Sequence, residues 1–203
     1  MNNFDSVAGT WDENPMHLER SQAIAQRMME ILTLRKDMNV LEYGAGTGIL
    51  SFLLSEKLGP VTMMDNSKEM VKVMEGKVLD RGAINLSPIC FNLEEEDFDT
   101  SFDLIFNQMV MHHIPDVKGI FEKFHEMLLP GGILAIADLY REDGSFHGDG
   151  FDGHLGFNPE QLNTMLLSTG FQKVNYEMCY EVKRASPDGS HRLYPVFLLT
   201  ASK

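Results

Sequence analysis

From Asn39 to Ala137 short apolar runs alternate with segments of helical periodicity, an order that points to a parallel sheet joined by right-handed crossovers. The strand-like runs are Asn39-Val40-Leu41-Glu42-Tyr43, Val61 to Asp65, Ile84 to Phe91, Phe102 to Asn107 and Ile133 to Ala137. Between them, Ile49, Leu50, Phe52, Leu53, Leu54 and Leu58 form a helix that Gly59-Pro60 stops. A second helix carries Met70, Val71, Val73, Met74 and Val78 from a Ser67 cap to Gly82. A third runs from about Val117 to Leu129 and ends at Pro130-Gly131-Gly132. Pro88 in the third strand argues for an edge position or an early start to the strand's exit, because proline gives no ladder hydrogen bond. A leading helix starts at Asn14-Pro15. After a long Gly-, Asp- and His-rich loop from Arg141 to Gly156 come a helix at Pro159 to Thr169 and two strands, Phe171 to Val182 and His191 to Thr200, about the turn Ser186-Pro187-Asp188-Gly189. The expected fold is α/β: a Rossmann-like, doubly wound, seven-stranded, mostly parallel sheet closed by a C-terminal antiparallel hairpin.

The 203 residues suit one domain (1–203), with 1–33 as an N-terminal cap and helix and 140–157 as an active-site loop. Lys and Arg number 17 against 30 Asp and Glu, a net charge of −13 that repels nucleic-acid phosphates and anionic membranes. No apolar run approaches the roughly 18 residues of a membrane span, and Met1 to Trp11 has no leader pattern, so a cytoplasmic protein is expected. Cys90 and Cys179 are far apart in sequence and make no metal or disulfide pattern.

Chemistry concentrates at the first strand-to-helix junction. Gly44-Ala45-Gly46-Thr47-Gly48 lets backbone approach a ligand closely, and its G-x-G-x-G spacing departs from the dinucleotide fingerprint, which would need glycine where Ile49 stands. Glu42, at the end of its strand, can meet a positive group. Asp65, at the end of the next, can accept hydrogen bonds from both hydroxyls of a ribose. Together they fit an adenosine ligand that also carries a cation.

Val40 to Gly48 resembles the first motif of the class I S-adenosylmethionine-dependent methyltransferases of the small-molecule type, and the resemblance recurs in order at Val61 to Asp65, Phe91-Asn92-Leu93, Phe102 to Asn107 with Met111 to Asp116, and Leu128 to Gly132. It implies S-adenosyl-L-methionine as cofactor. Glu42 would neighbour its methionine part, and Gly44, Ala45, Gly46 and Gly48 would shape the turn around it. Asp65 would hold the ribose, with Asn66 beside the adenine. Asn92 would face the adenine amino group with Leu93 near the ring, and Asn107 would reach the methionine end through its backbone carbonyl. The Thr10-Trp11-Asp12 segment resembles a cofactor-covering segment of small-molecule members. There the Trp11 ring either faces the sulfonium by cation–π attraction or covers the core rim.

Methyl transfer from a sulfonium is an in-line displacement that needs a base only for a neutral hydroxyl or protonated amine acceptor. His154, in the His154-Leu155-Gly156-Phe157 entry to the next helix, is the first candidate for substrate contact, and His112 is the second. His147, Asp149, Asp152 and His154 can be read as a metal cluster, but closely spaced ligands in a Gly-rich loop have no fixed geometry until they fold, so no metal is expected. The expected activity is methyl transfer to a small or medium-sized molecule, with no nucleic-acid or membrane partner. The alternatives are a non-catalytic cofactor-binding module acting through a partner, and a nicotinamide-dependent oxidoreductase against which Ile49 and the hairpin argue. Acceptor and oligomeric state are open.

Overall fold

A computed structural model describes residues 4–185 and 190–203, so the Ser186-Pro187-Asp188-Gly189 turn lies outside the described residues. Seven strands form one sheet in the order β3-β2-β1-β4-β5-β7-β6. They are β1 (Val40–Tyr43), β2 (Val61–Asp65), β3 (Leu86–Cys90), β4 (Phe102–Gln108), β5 (Leu128–Leu139), β6 (Gln172–Ala185) and β7 (His191–Ser202). The first five pair in parallel, and β7 runs antiparallel between β5 and β6, as the alternation and the terminal hairpin predict. Strand order reverses at β1, between β2 and β4, which opens a crevice beyond the carboxyl ends of these strands. Pro88 sits in the edge strand β3.

Helices cover both faces. On one, α1 (Pro15–Ile31), α2 (Ile49–Leu54) and α3 (Lys68–Arg81) pack Ile24, Met28, Leu50, Leu54, Val71 and Met74 against Val40, Leu104 and Phe106. On the other, α4 (Val117–Met127) and α5 (Pro159–Ser168) pack Ile120, Phe121, Phe124, Leu162 and Leu166 against Leu41, Ile105 and Leu134. Strands buried on both sides read as continuous apolar runs, which is why β4 and β5 are plain in the sequence. Local caps fix the helix starts: the side chains of Asn14, Ser67, Asp116 and Asn158 each accept a backbone N–H from the first turn that follows.

Among the boundaries that differ from expectation are three at β3, α2 and β5. The third strand starts at Leu86, because Ile84 stands fully exposed before it. Helix α2 stops at Leu54, although Leu58 is still buried beyond it. Pro130-Gly131-Gly132 lies inside β5 rather than before it: Leu128 already pairs with Phe102, and a register shift carries exposed Pro130 and Gly131 and buried Gly132 past Asp103 before Ile133 meets Leu104. Among the described residues no helix is long and apolar enough to cross a membrane.

Phe124, fully buried on α4, meets Tyr43 edge-on at 5.2 Å, just before the glycine turn. Phe124→Ala should lower stability by about 3–5 kcal/mol in urea unfolding, the cost of an unfilled aromatic cavity.

Candidate active site at the carboxyl edge of the sheet

The turn from β1 to α2 is tied to the neighbouring strand. Ala45 N–H donates to the Met64 carbonyl at 2.9 Å, and Gly46 N–H donates to Asp65 Oδ2 at 2.7 Å. Gly44 has φ +66°, and a Cβ there would lie 2.5 Å from Val110 Cγ2, so only glycine lets the turn pass the segment after β4. At Gly46, φ is +56° and a Cβ would meet nothing within 4 Å, which leaves open space beside the turn. Gly48, also at positive φ, leads into α2. The other oxygen of Asp65 accepts from Ser67 N–H at 2.8 Å, and burial raises the pKa of this carboxyl.

Three buried polar side chains near this edge keep atoms without a protein partner among the described residues: Glu42 Oε1, both amide atoms of Asn107, and Arg20 Nε. Glu42 is fully buried at the end of β1, and its Oε2 accepts from the backbone N–H (3.2 Å) and hydroxyl of Ser51 on α2. Burial pushes its pKa up to about 8. Asn107 lies near the end of β4, the strand beside β1, so its side-chain amide joins the backbone carbonyl that sequence reasoning emphasised. Arg20 went unmarked in the sequence. It stands on the buried stripe of α1 with Ser21, Ile24 and Met28, and burial lowers its pKa to about 10. The adjacent Ser21 hydroxyl donates to Gln108, which follows Asn107. A guanidinium on an otherwise apolar helix stripe was the available signal.

The N-terminal segment covers the turn. A 3₁₀ helix at Ala8–Glu13 places Asp12 so that it accepts from the Thr47 hydroxyl at 2.5 Å and from Lys77 Nζ at 2.6 Å, while Lys77 also donates to the Thr47 carbonyl. Asp5 accepts from the Ser67 hydroxyl at 2.6 Å. Trp11 therefore lies in a cap above the glycine turn, with its ring stacked on His17 at 4.1 Å. On the adenine side of the expectation, Asn66 is exposed, Asn92 Oδ1 accepts from Glu94 N–H at 3.2 Å, and Leu93 is sealed in the core with Tyr43 and Met64.

The histidines group differently from their sequence spacing. His112, His113 and His147 come together, with ring centroids 4.2, 5.0 and 5.4 Å apart. His112 Nδ1–H donates to Asp138 Oδ1 at 2.6 Å, and both side chains are buried. Burial and the neighbouring imidazoles push His113 down to about 3 and His147 down to about 4, so both rings are neutral at neutral pH. His154 stands outside this group. Its Nε2–H donates to the Ile114 carbonyl at 3.0 Å and its backbone N–H to the His112 carbonyl at 2.8 Å, so it fastens the 140–157 loop to the segment after β4.

The arrangement fits a ligand with an amino-acid end: a buried carboxyl and a buried guanidinium, each with an unused hydrogen-bonding atom, accompany a glycine turn with open space and a strand-end aspartate. A family model described as a methyltransferase domain matches residues 34–178. The chain belongs to the class I S-adenosylmethionine-dependent methyltransferases. The chain is 28% identical over 145 residues to the uncharacterized methyltransferase C1347.09 of Schizosaccharomyces pombe, covering 63% of this chain and 51% of that protein. It is 33% identical over 114 residues to demethylmenaquinone methyltransferase of Listeria monocytogenes, covering 54% and 48%. The chain thus spans about half the length of the curated relatives it matches. Among solved structures, the DhpI-SAM-HEP complex superposes with a TM-score of 0.74 at 19% identity, over 98% of this chain and 94% of that one, which shows the shared fold. The family's cofactor is S-adenosylmethionine.

Protonated Glu42 stabilises the cofactor-free fold below its unfolded value of 4.5, and this contribution is lost as pH rises through about 8. Relative to Glu42→Gln, the wild-type protein should therefore lose stability across that window, by an amount on the order of a few kcal/mol in denaturant titrations at several pH values.

Proposed function

We propose that this methyltransferase transfers the methyl group of S-adenosylmethionine to a small or medium-sized molecule. The observation that carries the reading is a buried carboxyl, Glu42, and a buried guanidinium, Arg20, each with an unsatisfied atom, accompanying a glycine turn whose partner strand ends in Asp65. An ammonium is the natural partner of Glu42 and a carboxylate that of Arg20, and the cofactor's methionine end offers both. Asn107 can add an amide donor and acceptor there. Asp65 keeps a second lone pair on each oxygen beyond its bonds to Gly46 and Ser67, enough for the two ribose hydroxyls. Asn66, Asn92 and Leu93 are assigned to the adenine side, and Trp11 to the cap.

When bound, the cofactor supplies an electrophilic methyl on a sulfonium. The protein's part is to align the nucleophile, hold the donor and keep water out. The cap formed by Ala8–Glu13 and the 140–157 loop excludes water, and Phe4 of the cap packs edge-on against His113 at 5.2 Å. The short cap leaves room for a metabolite-sized acceptor rather than a macromolecule. A relative named for demethylmenaquinone supports an acceptor of that scale, whereas one named for malonyl-[acyl-carrier protein] O-methylation acts on a group carried by a protein, so the relatives do not choose the acceptor. His112, oriented by Asp138, is the base for an acceptor that must lose a proton; His154 is assigned to loop positioning beside the acceptor.

Calorimetric titration with S-adenosylmethionine should give one site, with no binding of NADH. Asp65→Ala should weaken the site roughly tenfold or more through lost charged hydrogen bonds. Because Glu42 is protonated in the free protein and becomes charged opposite an ammonium, binding near pH 7 should release a proton. Titrations in two buffers of different ionisation enthalpy read that proton, and Glu42→Gln should abolish it. Turnover is read as S-adenosylhomocysteine release over a panel of hydroxyl, thiol and amine acceptors. Cofactor binding with no turnover on any of them would favour a module that acts through a partner, and no cofactor binding would overturn the assignment.

A further inference from the structure

We propose that His112, His113 and His147 form a three-histidine site for a zinc-like divalent metal ion, with an open coordination position for water or for an oxygen or sulfur atom of the acceptor. The three imidazoles offer ligand nitrogens that all lie within 4.8 Å of one another. Tetrahedral coordination with metal–nitrogen bonds of about 2.0–2.1 Å separates such nitrogens by roughly 3.4 Å, so a shift of about 1 Å spread over three side chains closes the site. The three rings meet at interplanar angles of 43°, 42° and 73°, so they do not form a parallel stack.

Two further features separate this group from histidines that only fill space. His112 gives its Nδ1–H to the buried carboxylate of Asp138, which leaves Nε2 with its lone pair free; a carboxylate behind a ligating imidazole is the recurrent support of metal-bound histidines. Asp138 is itself fixed, since its oxygens also accept from the backbone N–H groups of His112 and Leu139. On the other side, His147 Nε2 is buried and has no hydrogen-bond partner among the described residues. Such a nitrogen, beside two further imidazoles, is an unfilled ligand position. The His147 ring is held flat against Phe151 at 3.8 Å and edge-on to Phe146 at 4.8 Å, so its direction is set by packing rather than left to the loop.

The site's place in the fold suggests its use. His112 and His113 lie in the 3₁₀ turn Met111–His113, directly after Val110, the residue against which Gly44 packs. A metal there would border the cofactor turn. With a metal bound, His112 Nε2 is a ligand and no longer the base, and a hydroxyl or thiol acceptor entering the open position would give its proton to solvent and bind as the anion, with no change of oxidation state. The methyl–sulfonium bond then breaks as the new oxygen–carbon or sulfur–carbon bond forms. This use rests on the methyltransferase reading, whereas the metal site does not. It also replaces the expectation of no metal: His147 leaves the Asp149, Asp152 and His154 grouping that spacing alone suggested and joins two residues more than thirty positions earlier.

The test is titration of chelator-treated full-length protein with cobalt(II), followed by displacement with zinc(II). One equivalent should produce the intense visible absorption of four-coordinate cobalt, and zinc should abolish it. His147→Gln and His113→Gln should each lower affinity by about 100-fold or more, and Asp138→Asn by about 10- to 100-fold. Circular dichroism and melting of the metal-free variants check that each is folded. His147→Gln, in the loop, is the decisive variant should the buried Asp138 change unfold the protein. Absence of the four-coordinate spectrum, or its retention in both histidine variants, would overturn the proposal. Calorimetry with S-adenosylmethionine on the same metal-free protein separates this result from the cofactor assignment: cofactor binding without cobalt binding removes the metal alone.

Discussion

Asp65 ends β2 with its two oxygens divided between Gly46 N–H in the turn after β1 and Ser67 N–H at the start of α3, so two strand-end connections are held at one spacing by a single carboxylate. Ser67 extends the joint. Its hydroxyl oxygen accepts from Met70 N–H as the cap of α3 and its proton goes to Asp5 in the N-terminal segment. A buried group with this many partners is expensive to disturb, since each donor left behind loses its bond in a place water reaches poorly. The turn, the third helix and the cap therefore share one reference point, and the open space at Gly46 lies beside it.

Around that point the protein accepts a cost in folding energy. Arg20 and Glu42 are buried with unused hydrogen-bonding atoms, and burial moves each toward its uncharged form. An apolar pair in their places would make a more stable empty protein. Their retention makes sense when the compensating charges arrive with a ligand, so the energy withheld on folding is returned on binding.

The fold was legible because its signals are local. Strands buried on both faces appear as unbroken apolar runs, Asn14-Pro15 and Ser67 announce helix starts, and Pro88 argues for an edge position of β3. The glycine turn and Asp65 were legible for the same reason: positive φ at Gly44 and Gly46 and a strand-end acid are written in consecutive residues. What depended on the path of a long segment was not. His147 reaches His112 and His113 only because the loop after β5 folds back, with Phe151 and Phe146 fixing the ring, and no spacing rule encodes that return. His154, nearer to the expected pattern, has its ring held by the Ile114 carbonyl. The start of β5 at Leu128 was hidden because Pro130-Gly131-Gly132 reads locally as a terminator, while pairing with Phe102 decides the matter at a distance.

The cap over the glycine turn has a kinetic consequence. Asp12 holds both the Thr47 hydroxyl and Lys77 Nζ, and its side chain is 41% exposed. A ligand seated between turn and cap can leave only after this latch opens, and a partly exposed ion pair is weakened by dissolved salt. On the proposed function, departure of the spent nucleoside would then quicken as ionic strength rises.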